Sequence, residues 1–458
     1  MQPIVTPHHM RLVDERASEP IDVLIERAGR RLAWTARDML GGVYGRRVVA
    51  IAGPGNNGAD ARVGARVLRR WGVRVTIVDP AERVLPACDL VIDAAFGTGV
   101  NRDFEPPQLT AKPLVLAADI ASGIDGLTGE IHGAALPANR TLTFAALKPG
   151  LLLDPGARYS GTLEVAGLGL DVCDATAWLF AKSDARELVP RRSRTDHKWR
   201  RAVMVIGGSA GMLGAPTLAA QAALRAGAGI VHCRLPGVEV PGQISEVVLS
   251  ALPKDWSYQA LADAARFHAV VVGPGLGRAE HQPRELWALL TGISDDTPVV
   301  IDGDGLRALG ERPTLRPNVV LTPHDGEFSA LFGAAPGADR FESARSLAAA
   351  TNATVLLKGP LTIVASPDGR CIASNRGDER LATAGSGDVL AGCLGAILAG
   401  GVLPLEAAAL AAWLHGDACR SQPVGGMRAS DLLDGLTQSL DEVLASQWRD
   451  SGGFHASN

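Results

Sequence analysis

The sequence has few aromatic residues, little net charge and no long apolar run. Aromatic side chains make up 4% of the chain and the formal net charge is −4. Few rings are therefore available to stack on bases, and no positive excess attracts a phosphate backbone. The most apolar stretch, residues 389–403, is interrupted by glycines and falls short of the ~18 residues that span a bilayer. We expect no nucleic-acid partner and no membrane, and we interpret this stretch as a core helix.

Cysteine is also scarce and dispersed. No pair has the C-x-x-C spacing, which argues against a zinc site, a redox pair and a disulfide framework. The first residues lack the charged and apolar segments of a secretion signal. These absences predict a cytoplasmic protein with reduced thiols. The six cysteines are Cys88, Cys173, Cys233, Cys371, Cys393 and Cys419.

The length of the chain predicts two domains. A chain of 458 residues is too long for one hydrophobic core of usual size. Hydrophobic residues make up 47% and charged residues 21%, as in chains that fold into compact cores. Strand-like and helix-like segments alternate along both halves, so we expect two three-layer α/β domains. Residues 184–201 are polar and contain a proline, and we interpret them as a linker between domains at 1–190 and 200–450.

The first half contains a strand–turn–helix–strand pattern. Residues 47–52 and 73–78 predict parallel strands, and residues 61–71 predict the helix that joins them. The turn at residues 53–58, Gly-Pro-Gly-Asn-Asn-Gly, fits the G-x-G-x-x-G fingerprint of Rossmann-type dinucleotide-binding folds. Asp79 lies where such folds place a ribose-binding acid. A Rossmann-like NAD-dependent oxidoreductase is therefore one hypothesis for this half.

Polar side chains stand at the ends of three predicted strands in this half. Asn57 and Asp60 lie in the glycine turn, Asp93 ends the next strand, and residues 119–122 follow the one after. Because ligands gather at the carboxyl ends of parallel strands, these loops should converge on one crevice. Asn57, Asp93 and Ser122 offer only oxygen atoms, which suits a hard cation and not zinc. The alternative is that the aspartates cap or brace loops.

The second half is organised around residues 384–388, Ala-Gly-Ser-Gly-Asp, which precede an apolar helical segment. A glycine turn at a helix N-terminus binds anions, because unpaired N–H groups and the helix dipole point at it. Asp388 either caps that helix or takes a proton from a hydroxyl that attacks a phosphate. Lys358 can reach such a phosphate, and Gly359 permits close approach of the backbone. His324 is either a loop residue with satisfied hydrogen bonds or a substrate contact.

Four motifs in the first half occur at residues 55–60 (GNNGAD), 93–99 (DAAFGTG), 119–125 (DIASGID) and 143–150 (TFAALKPG). Together they resemble the epimerase domain of NAD(P)H-hydrate repair enzymes. The resemblance implies that this domain interconverts the two epimers of hydrated NADH and NADPH, with a potassium ion held by Asn57, Asp93 and Ser122. It also implies that Asp119 is catalytic and that the hydrate contacts Asn56, Asn57, Gly58, Ala59, Asp60, Gly97, Thr98, Gly99, Val100, Asn101, Arg102, Asp103 and Asp119.

Five motifs in the second half occur at residues 207–209 (GGS), 273–277 (GPGLG), 322–327 (TPHDGE), 358–362 (KGPLT) and 384–388 (AGSGD). In this order they resemble the ribokinase-like dehydratase domain of the same family. The resemblance implies that ADP or ATP, with magnesium, phosphorylates the misplaced hydroxyl of the S epimer, and that loss of phosphate restores NAD(P)H. Asp388 would be the general base. The implied hydrate contacts are Ala215, Gly275, His324 and Asp388, and the implied nucleotide contacts are Lys358, Gly359, Pro360, Leu361, Thr362 and Gly387.

The chain departs from the usual family pattern at several positions. Ala59 replaces a glycine, Ala121 and Asp325 replace prolines, and residues 378–380 (Asp-Glu-Arg) replace Pro-Gly-Met. Two hypotheses besides repair and oxidoreduction remain open: a sugar or vitamin kinase fused to a dinucleotide-binding domain, and a non-catalytic cofactor sensor. Small-molecule ligands are expected in each case, and a homo-oligomer is compatible with the sequence.

Overall fold

The structure, a computed structural model, describes residues 1–99, 102–240, 242 and 246–450. It divides into two compact units: Gln2–Ala177, and the chain from Trp178 onward together with Met1. Both units combine helices with mainly parallel strands, so the predicted α/β class is confirmed. Within the described ranges, no helix is both long enough and apolar enough to cross a bilayer.

The N-terminal unit is built on a parallel sheet. Its elements are β1 (Gln2–Ile4), α1 (Pro7–Glu15), α2 (Ile21–Leu40), β2 (Arg47–Ala52), α3 (Asn56–Arg70), β3 (Arg74–Val78), β4 (Val84–Leu85), β5 (Leu90–Ala94), β6 (Gln108–Leu109), β7 (Leu114–Ala118), β8 (Arg140–Phe144), α4 (Ala157–Ser160) and β9 (Thr162–Ala166). The six-stranded sheet has the order β3-β2-β5-β7-β8-β9, and each neighbouring pair is parallel. The carboxyl ends of these strands therefore lie at one edge of the sheet, where ligands bind in such folds.

Helices α2 and α3 pack against one face of this sheet. Ala28, Leu32 and Ala36 of α2 follow one another at four-residue spacing and so share one side of the helix. They are buried in a cluster with Val48 and Ala50, which alternate along β2 and point to the same face. This packing fixes α3, and with it the residues at its first turn, over the carboxyl edge of the sheet.

Helix α3 begins at Asn56 and not at residue 61, where the sequence pattern predicted its start. Gly55 is the extended residue before the helix, and the Ala59 N–H donates to the Gly55 carbonyl at 3.1 Å. Asparagine and glycine have low helix propensity, so this first turn looks like a loop in the sequence. The polar residues at 56–60 consequently lie on a rigid helical turn.

The C-terminal unit is built on a second sheet. The elements after β9 are β10 (Ala177–Leu179), α5 (Lys182–Leu188), β11 (Ala202–Ile206), α6 (Gly214–Arg225), β12 (Ile230–Pro236), β13 (Val248–Leu252), α7 (Ser257–Leu261), β14 (Ala269–Val272), α8 (Gln282–Gly292), β15 (Val299–Ile301), α9 (Asp304–Leu309), β16 (Val319–Leu321), α10 (Asp325–Phe332), α11 (Arg340–Thr351), β17 (Thr354–Leu357), β18 (Thr362–Ala365), β19 (Cys371–Ser374), α12 (Ser386–Ala399), α13 (Pro404–Arg420) and α14 (Asp431–Asp450). The strand order is β10-β19-β18-β17-β16-β15-β14-β11-β12-β13. The pairs β17–β18 and β18–β19 are antiparallel, whereas the pairs from β17 to β13 are parallel.

Helix α12 lies in the core of this unit, as the sequence predicted. Strands β11 and β14 to β17 are buried at every position, so both faces of the sheet are covered. All residues of α12 from Val389 to Ala399 are buried too. A Cβ placed on Gly392 would lie 1.9 Å from the carbonyl oxygen of Ala219, so only glycine lets α12 approach α6 this closely. The first turn of α12 is thereby held in a fixed position.

The first part of the predicted linker forms helix α5, which belongs to the C-terminal unit. The Ala181 N–H donates to Asp184 Oδ2 at 2.7 Å and closes the start of the helix. Phe180, Ala185 and Val189 are buried in the C-terminal core. The polar residues around them concealed these apolar positions in the sequence. The boundary between the compact units lies before α5, between Ala177 and Trp178.

We expect a fragment that begins at Trp178 to be more stable than one that begins at Ser193. The shorter fragment lacks Phe180 and the α5 side chains that fill the core, which costs roughly 3–5 kcal/mol of apolar burial. Thermal melting of the two purified fragments measures the difference. Equal melting temperatures would contradict the assignment of α5 to the C-terminal unit.

Candidate active sites

The N-terminal unit has a cavity of about 500 Å³ at the carboxyl edge of its sheet, called here the first cavity. It brings together most of the residues that the sequence predicted as hydrate contacts. Ala59 and Asp103 are not among its lining residues, and Val100 and Asn101 lie outside the described residues. The predicted residues that line it are Asn56, Asn57, Gly58, Asp60, Gly97, Thr98, Gly99, Arg102 and Asp119.

Asp119 forms a buried ion pair in the first cavity. Its Oδ1 accepts hydrogen bonds from Lys148 Nζ at 2.5 Å, from Thr143 Oγ1 at 2.9 Å and from the Phe144 N–H at 3.2 Å. Lys148 is 1% exposed, and its ammonium also donates to Thr143 Oγ1 and to the Phe144 carbonyl. The backbone of Asp119 has φ = 68°, a left-handed conformation that costs free energy for a residue with a Cβ. The surrounding contacts hold this carboxylate in one orientation.

Two further carboxyls of the first cavity have raised pKa values. Burial, followed by the nearby charge of Asp119, raises the pKa of Asp60 to about 8. Asp60 is 4% exposed, so it carries a proton at neutral pH. Burial also raises the pKa of Asp14, on α1, although the charge of Lys148 opposes that shift. The cavity therefore holds a protonated carboxyl and a carboxylate paired with lysine.

The three predicted potassium ligands lie close together beneath this cavity. The Asp93 carboxylate is fully buried and accepts hydrogen bonds from Ser122 Oγ at 2.6 Å and the Ser122 N–H at 2.9 Å. The carbonyl oxygen of Phe96 accepts from Asn57 Nδ2 at 3.3 Å and from Ser122 Oγ at 3.3 Å. Burial raises the pKa of Asp93. Among the described residues no lysine, arginine or histidine pairs with it, so its oxygen-rich surroundings fit a bound monovalent cation.

Several residues of the first cavity could not be predicted from the sequence. Lys148 lies in the motif at residues 143–150, but nothing in the sequence marks it as the partner of Asp119. Asp14 and Arg11 come from α1, which carries no recognisable motif and is separated from the glycine turn by the whole of α2 and β2. The aromatic rings of Phe96 and Phe144 also line the cavity. Only the folded arrangement brings these residues to the site.

The C-terminal unit has a charged cluster at the carboxyl ends of β15, β16 and β17. Asp302 is 3% exposed, and its Oδ1 accepts hydrogen bonds from Thr322 Oγ1 at 2.6 Å and Lys358 Nζ at 3.0 Å. Lys358 Nζ also lies 3.6 Å from Glu327 Oε2. Burial alone would lower the pKa of Lys358, but the Asp302 and Glu327 charges outweigh it and raise that pKa. The lysine is a fixed positive charge at this edge of the sheet.

Asp388 stands on the first turn of α12 next to this cluster. A Cβ on neighbouring Gly387 would lie 3.5 Å from Lys358 Nζ and 3.9 Å from Asp302 Oδ2. Burial, followed by the charge of Asp302, raises the pKa of Asp388 to about 7, although Lys358 opposes the shift. The N-terminal cap of the helix is Gly385 with φ = 91°, which has no side chain to accept the N–H groups of the first turn. The Asp388 carboxyl is half-buried and titrates in the range that a general base requires.

A buried histidine holds the start of α12. Ser386 Oγ and His415 Nε2 are 3.1 Å apart, and both side chains are buried. Burial lowers the pKa of His415 to about 4, so the ring is neutral at pH 7 and shares one proton with the serine hydroxyl. His415 fixes the turn that carries Gly387 and Asp388.

Two of the predicted hydrate contacts of this unit are adjacent, and a third caps a helix. Gly275 has φ = 59°, and a Cβ on it would lie 3.2 Å from the Ala215 Cβ, so these two predicted residues are adjacent. His324 is the N-terminal cap of α10: its Nδ1 accepts from the Gly326 and Glu327 N–H groups, and its Nε2 lies 3.5 Å from Glu327 Oε1. His324 is thus a capping residue, although its ring remains largely exposed.

The predicted nucleotide contacts at residues 358–361 form the turn between β17 and β18, and Thr362 is the first residue of β18. Arg340 supports this turn, because its Nη2 donates to the Lys358 carbonyl at 3.2 Å. The same guanidinium binds both oxygens of the Asp325 carboxylate, at 2.7 and 3.0 Å. Asp325 is one of the departures from the family pattern, where a proline is usual. Through Arg340, the start of α10 is therefore connected to this turn.

Neither unit presents a ready metal cage of the usual acidic or histidine type. Among the described residues, no group of three or more histidine, cysteine, aspartate or glutamate side chains is arranged to hold an ion.

Comparison with family models assigns both halves of the chain. A model described as NAD(P)H-hydrate dehydratase matches residues 203–437. A model described as YjeF-related protein N-terminus matches residues 21–85 and 77–150. The two matches together span most strands of both sheets, including β2, β5 and β7 of the N-terminal unit and β14 to β17 of the C-terminal unit.

Solved structures are similar to the C-terminal unit. A Bacillus subtilis protein described as ADP/ATP-dependent NAD(P)H-hydrate dehydratase, co-crystallised with ATP/Mg2+, is 28% identical with a TM-score of 0.50, and the match covers 58% of this chain and 98% of that one. A ribokinase-like superfamily protein from Enterococcus faecalis is 21% identical with a TM-score of 0.52, covering 58% and 96%. The predicted ribokinase-like fold is confirmed.

Full-length relatives cover nearly the whole chain. A Mycobacterium tuberculosis protein named bifunctional NAD(P)H-hydrate repair enzyme Nnr is 39% identical over 433 residues, which is 86% of this chain and 88% of the relative. A Moorella thermoacetica protein of the same name is 34% identical over 516 aligned positions, covering 95% and 96%. With both domain models matched in order, the chain belongs to the family of bifunctional NAD(P)H-hydrate repair enzymes, which join an epimerase domain to a dehydratase domain.

Proposed function

We propose that this chain repairs hydrated NADH and NADPH. The N-terminal unit interconverts the R and S hydrates, and the C-terminal unit converts the S hydrate back to NAD(P)H with ADP or ATP as phosphoryl donor. The observation that carries the proposal is Asp388, a half-buried carboxyl with a pKa near 7 at the N-terminus of α12, beside Lys358. Membership of the family identifies the substrate, and the position of Asp388 beside Lys358 supports the proposed chemistry.

In the C-terminal unit Asp388 acts as general base. It takes the proton of the hydrate hydroxyl while that oxygen attacks the terminal phosphorus of the nucleotide, so one P–O bond forms and the bond to the nucleotide breaks. The first amides of α12 and the charge of Lys358 stabilise the negative charge on the transferred group. Phosphate is a better leaving group than hydroxide. Its departure, with loss of a ring proton, restores the double bond.

In the N-terminal unit Asp60 acts as the acid and Asp119 as the base when the hydroxyl of the hydrate is exchanged for water. The hydroxyl of the hydrate stands on a carbon next to the ring nitrogen, so it can leave as water when a proton is supplied. Asp60, protonated below its pKa of about 8, donates that proton. Asp119 accepts the proton of a water that adds to the other face. The exchange inverts the carbon without any net oxidation.

Asn57, Asp93 and Ser122 would hold the potassium ion. The support is the fully buried Asp93 carboxylate, which has hydrogen-bond donors but no cationic partner among the described residues. A bound cation would supply positive charge beneath the first cavity and fix the loop at Phe96. Magnesium would enter the C-terminal site with the nucleotide phosphates.

We expect Asp93→Asn to abolish activation of the epimerase by potassium. The amide keeps the shape of the side chain but removes the charge that attracts the ion, so epimerase activity should fall by roughly 10–100-fold. Initial rates measured in potassium and in sodium buffers check this, with dehydration of purified S hydrate as an internal control. If the variant still responds to potassium as the parent does, the cation lies elsewhere.

We also expect Arg340→Gln to weaken nucleotide binding. The turn at 358–361 would lose its support, so the KM for ADP and ATP should rise about threefold to tenfold while kcat changes little. Arg370→Gln is a matched control, because Arg370 also pairs with an aspartate but at the far end of the β18–β19 hairpin. The double variant that exchanges the charges, Asp325→Arg with Arg340→Asp, should recover part of the affinity. If the KM for nucleotide is unchanged in Arg340→Gln and the charge-exchange variant gains no affinity, Arg340 does not support the nucleotide-binding turn.

Incubation of the full chain with hydrated NADH and ADP tests the proposed function as a whole. Absorbance at 340 nm should return without any added reductant, and a mixture of both epimers should be converted completely. An oxidoreductase would need a second substrate, and a sugar or vitamin kinase would accumulate a stable phosphorylated product. Failure to regenerate NADH from either epimer would overturn the proposal.

A further inference from the structure

A second cavity of about 1050 Å³ adjoins the first one in the N-terminal unit. It lies beside the ends of β2 and β3, and Asp79, Arg62 and Arg83 are among its lining residues. Pro54, Phe96 and Arg102 line both cavities. The Arg102 guanidinium lies 4.7 Å from the centre of the Phe96 ring. The two cavities are therefore adjacent, and Arg102 and Phe96 lie in the wall that they share.

Asp79 occupies the position of a ribose-binding acid in three dimensions and not only in the sequence. Strands β2 and β3 are parallel and in register as far as the pair Ile51 and Val78. Asp79 therefore follows β3 directly beside Ala52, which leads into the glycine turn. Asp79 Oδ1 accepts the Ala81 N–H at 2.9 Å, so a local turn orients the carboxylate before any ligand arrives.

The charges around this cavity favour a ribose and not a ribose phosphate at Asp79. Arg62 is engaged with the strand end, since it donates to the carbonyls of Gly53 at 2.8 Å and Ala52 at 3.1 Å. Arg83 lies 3.8 Å from Glu105, and both are exposed. Besides Asp79, the acidic lining residues are Glu82, Asp103 and Glu105.

We infer that the second cavity binds the adenosine half of the hydrated dinucleotide, with Asp79 accepting hydrogen bonds from the ribose hydroxyls and Arg102 facing the diphosphate. This assignment rests on the proposed epimerase function of the first cavity, which would hold the hydrated nicotinamide half. A dinucleotide must place its two mononucleotide halves on either side of its diphosphate, and Arg102 stands between the two spaces. Because a carboxylate repels a 2′-phosphate, the epimerase half prefers the hydrate of NADH to that of NADPH.

Asp79→Asn tests this inference in the full chain. Asparagine keeps the local turn but removes the charge. With ADP omitted so that the dehydratase is silent, we expect the ratio of kcat/KM for the NADH hydrate over the NADPH hydrate to fall by about tenfold or more. The hydrate of reduced nicotinamide mononucleotide, which lacks the adenosine half, should be epimerised at an unchanged rate. Asp38→Asn, which changes an exposed carboxylate at the end of α2, is the matched control and should alter neither value.

Binding of ADP-ribose by equilibrium dialysis separates this inference from the proposed function. The C-terminal unit is identical in the parent and in Asp79→Asn, so a difference between their isotherms reports the N-terminal unit alone. We expect affinity for ADP-ribose to fall about tenfold and affinity for its 2′-phosphate to rise. Identical ADP-ribose isotherms for the two proteins would overturn the adenosine site, even if the parent protein epimerises both dinucleotide hydrates. An equal loss of epimerase activity on the hydrate of reduced nicotinamide mononucleotide would overturn it as well. A parent protein that fails to epimerise but shows the difference in binding would instead overturn the epimerase function.

Discussion

Asp388→Asn is expected to lower turnover of the S hydrate by roughly 10²–10⁴-fold, with ADP and with ATP alike. The amide preserves the size and the hydrogen-bonding shape of the side chain but cannot accept the hydroxyl proton. Nucleotide affinity should be retained, because the amides of Gly387 and residue 388 and the charge of Lys358 are unchanged and one negative charge near the phosphates is removed. Steady-state turnover and nucleotide titration on the same preparation measure both effects.

The stability and pH dependence of this variant distinguish a base from a helix cap. The pKa of Asp388 is raised from 3.8 to about 7, so its ionised form is disfavoured in the folded protein, and the resulting loss of stability grows as pH rises from about 4 to about 7 and is complete above that range. Asp388→Asn removes that penalty, and its melting temperature at pH 8 should equal or exceed that of the parent. In the parent, kcat/KM should fall about tenfold per pH unit below 7. A variant with normal turnover would show that Asp388 only shapes the helix terminus.

Asp119→Asn is expected to lower the epimerase rate by roughly 10²–10⁴-fold and to destabilise the N-terminal unit. The asparagine leaves the buried Lys148 ammonium without its counter-charge, which costs about 3–5 kcal/mol. The loss of activity alone would therefore be ambiguous between catalysis and folding. Epimer interconversion in the absence of nucleotide and thermal melting of the full chain are the two measurements required.

The double variant Asp119→Asn with Lys148→Met resolves that ambiguity. An apolar side chain of similar length replaces the buried ammonium, so the melting temperature should return toward that of the parent. The epimerase rate should remain low, because the proton acceptor is still absent. Dehydration of purified S hydrate should be normal in both variants. Recovery of epimerase activity in the double variant would mean that the aspartate serves only to neutralise the lysine.

The sequence was a good guide wherever local pattern decides structure. Strand ends followed by polar loops predicted the carboxyl-edge location of the first cavity, and the glycine turn predicted the start of α12 near Asp388. Such features depend on neighbours in the chain, so they can be read from it. The start of α3 was misplaced because Asn56 and Gly58 are poor helix formers that tertiary packing nevertheless places on a helix.

Long-range pairings were not accessible from one sequence. Nothing local connects Lys148 with Asp119, His415 with Ser386, or Arg340 with Asp325, because each pair is brought together by the topology of a sheet. The boundary at Trp178 was hidden for the same reason: the apolar residues of α5 are few, and their burial depends on helices more than 200 residues later. The sequence motifs therefore identified the candidate reacting groups, whereas the residues that orient these groups could be identified only in the folded structure.

In the proposed mechanism, the proton on Asp60 sets an alkaline limit for the epimerase that the dehydratase does not share. The proposed base Asp388 becomes ionised as pH rises through about 7, whereas the proposed acid Asp60 loses its proton as pH rises through about 8. Above pH 8 the S hydrate would be cleared quickly while the R hydrate remained, and slow spontaneous interconversion would govern the remaining recovery. In alkaline solution the time course on a mixed pool should accordingly become biphasic, with a fast phase whose amplitude equals the initial fraction of the S epimer.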